Sequence, residues 1–317
     1  MKKNLLENQN LQRRSNKKIK ITFLVIGILI LLAGLSYLVY FGVKKVVAKQ
    51  APLVKIERLW NEYNYSELYE TAKEYLQTNP FNNTVLTYYG YSCFFLAVSQ
   101  TDTSLAQEYL DESINTMRVA LPEANEKLVP QLQYMLGKAY FYKNTISTYY
   151  YSDLAIKYLS LALANGYEAD DISEYLGLSY ASLGMTMESI SAFTEALRVR
   201  ESDTLLLSIA EQYYKTKEYT VAEQYLFRII NSNNDDEIVL KSKNLLATIY
   251  FEKEDYEKAE SEFTKIIEDY ENTADAYYGL GLIYEKQGNL VKARSEWRKA
   301  LKNQVNHPGA LKKLANY

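Results

Sequence analysis

Two patterns of apolar positions divide this chain. The first is a run of 23 residues, Ile21 to Val43, reading ITFLVIGILILLAGLSYLVYFGV without one charged side chain. As a helix it would extend roughly 35 Å, enough to cross the hydrocarbon core of a bilayer with some tilt. Helices buried in a protein core rarely run this long without a polar face, so a spanning segment is the stronger expectation. Tyr37, Tyr40 and Phe41 stand near its far end, where aromatic rings favour the membrane interface. The second pattern begins near residue 49 and repeats. In its last clear unit a large residue, Tyr277, is followed by Leu280-Gly281 and Tyr284, then by Ala293, Trp297 and Ala300. This spacing predicts two helices in close contact: the small residues let them cross, and the aromatics fill the wedge between neighbouring pairs.

Thirty-four residues before Gly281 stands Ala247, flanked by Leu246 and Tyr250, with Ala259, Phe263 and Ile266 on the following helix. The signature recurs at Ile209-Ala210 with Tyr213, then Ala222, Leu226 and Ile229. It recurs again at Leu176-Gly177 with Tyr180, then Ser189, Phe193 and Ala196, and at Leu136-Gly137 with Tyr140, then Ala155, Leu159 and Ala162. Tyr89-Gly90 and Cys93 lead to Ala106, Leu110 and Ile114, and a weaker first unit runs from Lys49 through Leu59, Leu68, Ala72 and Tyr75 to Asn79-Pro80. Seven units near one period define an all-α solenoid of about seven helix pairs, preceded by one transmembrane helix. From residue 49 to residue 307 the pattern resembles the tetratricopeptide repeat (TPR) family, in a membrane-anchored bacterial-type arrangement. That resemblance implies a protein-binding array without catalysis, whose first helices line a groove. Ser189 departs from the family's alanine and Cys93 from its tyrosine. Extra residues at Leu96–Ser104, Lys143–Asp153 and Asn231–Glu237 should project as loops, and the first two lengthen the linkers between paired helices. Within one of them Tyr149-Tyr150-Tyr151 is expected to fold back onto the adjacent repeat. Pro308 comes three residues late for the family pattern, so the last helix should run slightly long, and residues 310–314 should shield the final hydrophobic edge.

Composition supports this picture. Glycine (12) and proline (5) are scarce, against an all-β chain, while 31 tyrosines suit helix seams that also meet water. Residues 1–50 carry ten Lys and Arg against one acid, whereas residues 51–317 carry 26 against 38. The acidic body argues against nucleic acid as a partner. Five cations precede the apolar run (Arg13, Arg14, Lys17, Lys18 and Lys20) and three follow it (Lys44, Lys45 and Lys49). The positive-inside tendency therefore sets residues 1–20 as a cytoplasmic tail and residues 21–43 as the anchor. Residues 44–48 become a linker, and residues 49–317 a body outside the cytoplasm, on a cytoplasmic (inner) membrane. No small-x-small site follows the run, and Leu35 stands where a lipoprotein box requires cysteine, so the anchor should remain uncleaved.

No arrangement of residues points to a catalytic, cofactor or metal site. Cys93 is the only cysteine and His307 the only histidine, far apart in sequence and without a visible partner. Gly279-Leu280-Gly281 lacks the third glycine and the preceding strand of a nucleotide loop. The resemblance places the groove three residues before, and one, four and five residues after, each small position. In one unit this selects Thr87, Tyr91, Phe94 and Phe95, with Tyr88 at the edge. In the next it selects Tyr134, Lys138, Phe141 and Tyr142. Later units contribute Leu207, Glu211, Tyr214 and Lys215, then Asn244, Thr248, Phe251 and Glu252. The Lys and Asn positions of a carboxylate clamp are not matched. Residues 201–275 hold 18 acids against 8 bases, while Lys292, Arg294, Arg298, Lys299, Lys302, Lys312 and Lys313 form a basic patch near the carboxy terminus. The expectation is an envelope scaffold that binds protein partners and no small-molecule substrate. A chaperone-like holdase, or an accessory subunit for exported clients, is the competing reading.

Overall fold

The computed structural model describes residues 31–44, 52–232, 235–270 and 273–316. Residues 1–20, residues 21–30 of the expected anchor and residues 45–48 of the linker lie outside these. Residues 31–44 are helical and exposed on every side. No helix among the described residues is long and apolar enough to cross a membrane. The chain forms two compact units, divided between Leu96 and Ala97.

In the first unit, α1 (52–61) and α2 (Tyr65–Thr78) pair through Ile56, Leu59, Leu68 and Ala72, each at most 1% exposed. Asn64 caps α2 by accepting from the Glu67 backbone N–H (3.2 Å), and its side-chain amide donates to the Glu67 carboxylate (3.2 Å). Helix α3 (Asn83–Val98) begins where the Asn82 side chain accepts from Val85 N–H (3.1 Å).

The second unit contains the remaining helices. They are α4 (Thr103–Ala120), α5 (Val129–Ile146), α6 (Ser152–Ala164), α7 (Ile172–Ser182) and α8 (Thr186–Val199). Next come α9 (Asp203–Lys215), α10 (Tyr219–Ser232), α11 (Asp236–Glu252) and α12 (Tyr256–Asp269), then α13 (Ala274–Lys286), α14 (Leu290–Asn303) and α15 (Pro308–Ala315). A 3₁₀ turn, Leu121–Glu123, follows α4. From α5 onward the helices pack as the repeat predicts. A Cβ on Gly137, Gly177 or Gly281 would come inside 3.0 Å of Leu159, Phe193 or Trp297 respectively, the large residue of each second helix. The small position is therefore a steric requirement of the crossing. Ser189 meets it differently from alanine: fully buried, its hydroxyl donates to the Gly177 carbonyl (2.8 Å), so the polar group is satisfied. Each pair hands its core to the next. Phe193 and Ala196 of α8 pack on Leu205 and Ile209 of α9, and Phe263 and Ile266 of α12 pack on Leu280 and Ile283 of α13.

Five of the turns inside the pairs share one backbone solution, which the α3–α4 and α5–α6 connections do not use. The residue two past the first helix takes positive φ at Tyr63 (56°), Gly184 (72°), Lys217 (63°), Glu254 (61°) and Gly288 (77°). After α9, Glu218 N–H reaches back to Tyr213 C=O and Lys217 N–H to Tyr214 C=O, closing the carbonyl end of the helix.

Four expectations need correction. The extra residues mostly lengthen helices instead of loops: α3 runs to Val98 and α5 to Ile146, leaving only residues 147–151 before α6. Within that loop Tyr149 and Tyr150 are 72% and 80% exposed, and only Tyr151 folds back, stacking on Tyr140 beneath the Lys143 ammonium. Helix α14 does not run long. It ends at Asn303, and Pro308 opens α15 at the first helical position, where its missing N–H costs nothing. His307, far from lacking a partner, caps α15. Its Nδ1 accepts from Ala310 N–H (3.1 Å), so Nε2 carries the proton and donates to Asp275 Oδ1 (3.0 Å). Helix α15 then buries Ala310 and lays Leu314 against the Trp297 cluster, closing the array.

Candidate partner-binding face

In the second unit each first helix touches the next first helix directly: α5 with α7, α7 with α9, α9 with α11, and α11 with α13. These helices form one continuous wall. The groove positions read from the sequence on α5, α9 and α11 fall on it, but their side chains are not equally available.

Between α5 and α7 the polar groups satisfy one another. Lys138 Nζ donates to Asp171 Oδ2 (2.8 Å) and Tyr134 Oη (3.1 Å), while Tyr134 Oη–H donates to Asp171 Oδ1 (2.6 Å). The ammonium also sits 5.1 Å from the Tyr134 ring centroid and 4.9 Å from that of Tyr175. Tyr142 and Tyr175 share a hydroxyl–hydroxyl bond (3.1 Å), and Phe141 meets the Tyr175 ring edge-on at 4.8 Å. Burial first, and the bond to Asp171 second, push the Tyr134 phenol well above its ordinary range. Tyr175 is raised by burial first and by Tyr142 second. Tyr134 is only 8% exposed, so what this stretch offers a partner is the half-buried edges of Phe141 and Tyr142.

Along α9 the wall shows Tyr214, half-buried against Tyr219, and Glu211. Surrounding atoms desolvate the Glu211 carboxyl and raise its pKa, against the opposing pull of Lys215 and Lys241, although the residue is exposed to solvent and the shift is correspondingly small in effect.

Between α11 and α13 lies an open-mouthed cavity of about 320 Å³. Leu245, Phe251, Phe263, Tyr278 and Leu282 supply its apolar walls, with Asn244, Thr248 and Asp275 as the polar groups. Gly279 creates the space: a Cβ there would lie inside 3.0 Å of the Phe263 ring, which forms the floor. Asn244 Nδ2 donates to Leu240 C=O (3.0 Å), which fixes its amide orientation, and the enclosed Oδ1 has no hydrogen-bond partner. Thr248 donates its hydroxyl proton to Asn244 C=O (2.8 Å). Asn244, Thr248 and Phe251 were legible as groove positions. The same register applied to Gly281 would have added Tyr278 and Leu282.

The first unit corrects the aromatic set. Tyr91 and Phe94 are each 2% exposed, because the Trp60 ring of α1 covers Tyr91 (5.4 Å) and Phe94 lies in the core beside Phe95. They are core residues and present no surface to a partner. Tyr88 and Phe95 are half-buried, both against Trp60, and Phe95 stacks on Tyr65 at 4.3 Å. The basic patch also thins. Lys299 pairs with Glu296 (2.8 Å) and Lys313 with Glu285, while Arg294 is half-buried with its Nε enclosed. Lys292, Arg298, Lys302 and Lys312 are exposed and ion-paired to no acid among the described residues.

Comparison with known proteins agrees with this geometry. Residues 244–310, which include α12, α13, α14 and every residue that lines the cavity, match a tetratricopeptide repeat family model. No curated protein sequence matches the chain at a significant level. A tetratricopeptide repeat protein from Parabacteroides merdae is 19% identical, with a TM-score of 0.50 over 83% of this chain and 96% of that one. The C-terminal part of a TPR repeat-containing protein from Cytophaga hutchinsonii is 17% identical, with a TM-score of 0.53 over 81% and 97%. At these identities the likeness shows the fold. The chain carries an all-α helical repeat array of the TPR type, an architecture that generally mediates protein–protein interaction without catalysis.

Proposed function

We propose that this protein is a membrane-anchored, non-catalytic scaffold whose first-helix wall binds partner proteins in the cell envelope. The cavity between α11 and α13 carries the binding reading: an apolar recess with an enclosed, unsatisfied acceptor on an otherwise packed wall is built to receive part of another molecule. The anchor rests on the charge-free run from Ile21 to Val43. In its described part, side chains such as Leu31, Leu38 and Phe41 are each more than half exposed. An apolar helix whose described side chains are exposed on every side supports this reading, because an apolar solvent would suit it. The flanking cations place residues 1–20 in the cytoplasm and the repeat body outside it.

In-cell photocrosslinking tests the reading. A crosslinking residue placed at Phe141, Tyr214 or Phe251 should capture a partner at fixed stoichiometry, and one at the exposed Lys157 or Lys265 of the second helices should not. Capture only from the second helices would defeat the groove. Capture of many clients in variable amounts would favour a holdase. A carboxy-terminal reporter active in the cytoplasm would reverse the topology.

A further inference from the structure

The chemistry of the α11–α13 cavity specifies what it takes, given that the first-helix wall binds polypeptide. Its volume of about 320 Å³ admits one large side chain with some adjoining backbone, and its walls are aliphatic and aromatic. The polar atoms with spare capacity are mostly acceptors. Asn244 Oδ1 is enclosed and unpartnered, and the Thr248 hydroxyl has already spent its proton on Asn244 C=O. Asp275 gives one oxygen to His307 and holds a side chain 74% exposed at the rim. An enclosed acceptor is costly until a donor reaches it, which here requires the Asn244 side chain to turn toward the cavity, and the Thr248 and Asp275 oxygens likewise call for a ligand that brings N–H groups.

Charge at the rim points the same way. The lysines of α11 are already held: Lys241 by Glu237 (2.6 Å), Lys243 by Asp269 (3.7 Å), and Lys253, just past its end, by Glu223 (2.7 Å). Asp275, which lines the recess, is paired with no Lys or Arg among the described residues. On α13, Lys286 lies a turn beyond Leu282, outside the lining. The recess is thus apolar within and carries the Asp275 carboxylate at its mouth, with Lys312 and Lys313 of α15 near its Tyr278 wall.

We infer that this cavity anchors an extended segment of a partner protein in which a large apolar residue is flanked by lysine or arginine. The apolar side chain fills the space above Phe263 and Gly279. A backbone N–H of the segment bonds Asn244 Oδ1 once that side chain turns toward the cavity, and the flanking cation lies toward Asp275. Acidic segments, including a free terminal carboxylate, are rejected, because they meet acceptors and like charge.

The test is selection of a random nine-residue peptide library on the full chain in nanodiscs, with empty nanodiscs removing membrane binders. Enrichment should be for Phe, Leu, Trp or Met beside Lys or Arg, with Asp and Glu depleted. For the best peptide, replacing its apolar residue by alanine should weaken binding about tenfold or more. Asn244→Leu should weaken it about fivefold. Leu282→Trp, which fills the recess, should abolish it. Asp275→Asn preserves the acceptor for His307 and serves as the variant least disturbing to the fold. It should cost about threefold and reduce the salt dependence. Enrichment of acidic peptides, or affinity unchanged in Asn244→Leu and Asp275→Asn, overturns the inference. If enrichment survives those changes but is lost in Phe141→Ala, the wall binds elsewhere and only this inference falls. If nothing is enriched, it falls as well, and the in-cell crosslinks from Phe141 and Tyr214 then decide the groove reading separately.

Discussion

Between α5 and α7, Lys138, Asp171 and Tyr134 bond to one another and Tyr142 bonds to Tyr175, so an aromatic, charged stretch of wall has little unspent hydrogen-bonding capacity. Between α11 and α13, the same positions of the repeat hold Asn244, Thr248 and Phe251, and the result is a recess with an acceptor left over. Residue type alone would have ranked these regions the other way, since tyrosine and lysine are the more conspicuous binding residues. What separates them is the neighbouring repeat. Asp171 and Tyr175 of the next unit consume the groups on α5, whereas Gly279 of α13 withdraws and opens the floor. Availability on such a wall is decided one period away in the sequence.

The largest test of this contrast is the same substitution at both places. At Gly137 a new Cβ would meet Leu159 side-chain atoms from 2.6 Å and the Leu159 backbone N at 3.0 Å, and Leu159 is fully buried. Gly137→Ala should therefore lower stability by about 2–3 kcal/mol, even after the gain in helix propensity. At Gly279 the nearest contacts of the Cβ are with the Phe263 ring, from 2.3 Å; that ring is 2% exposed, but it borders the cavity, into which it can turn aside. Gly279→Ala should cost about 1 kcal/mol or less. Denaturant midpoints of the two variants decide it, and equal losses would mean that the α11–α13 recess is not free to yield.

Next in size is the pair of aspartates. In Asp171→Asn the charge opposite Lys138 is lost, and that ammonium is 16% exposed, so about 1–2 kcal/mol should go. A double-mutant cycle with Tyr134→Phe should show coupling of about 0.5 kcal/mol or more, because both act through one carboxylate. Asp275→Asn, at a side chain 74% exposed, should cost less than about 0.5 kcal/mol. Additive losses at Asp171 and Tyr134 would remove the claim that the α5–α7 groups act as one network.

How far the sequence reached follows from these details. The period, the small positions and their large partners on the second helices were all legible, because each helix crossing imposes a steric rule that repeats near every 34 residues. Burial of Tyr91 and Phe94 was not legible, since it depends on Trp60 arriving from another helix. The exhaustion of Lys138 was hidden for the same reason: its partner lies 33 residues away. The cap by His307 and the start of α15 at Pro308 could have been read from the proline alone, as an N-terminal signal in place of a late stop.

The turns sharpen the contrast through the backbone. After α7 the positive-φ residue is Gly184, but after α9 and α11 it is Lys217 and Glu254. Side chains are disfavoured there by about 1 kcal/mol, and glycine gives back part of any gain through its freer unfolded chain. Glu254→Gly and Lys217→Gly should each stabilise by about 0.5 kcal/mol, and Gly184→Ala should destabilise by about 1 kcal/mol. Because no wall side chain changes, peptide binding at the α11–α13 recess should stay constant while the melting temperature moves. A change in affinity would tie the recess to the turn.

The smallest expected effect concerns Glu211, on α9 between the two regions. Burial raises its carboxyl above the ordinary value of 4.5, with Lys215 and Lys241 opposing. A carboxyl whose folded pKa is raised binds more protons folded than unfolded between the two pKa values, so stability falls as pH rises through that window. Below about pH 4.5 both states hold the proton and there is no cost; above the raised folded value the cost is complete. Glu211→Gln copies the protonated form. It should leave stability unchanged near pH 4 and raise it near pH 7, by no more than about 0.5 kcal/mol once the exposure of the residue is allowed for. Unfolding midpoints of both proteins across pH 4 to 7 measure this directly. A gain that is the same at pH 4, or a loss at pH 7, would show that the two lysines outweigh desolvation. The middle of the wall would then resemble the self-satisfied α5–α7 stretch more than the open recess beside it.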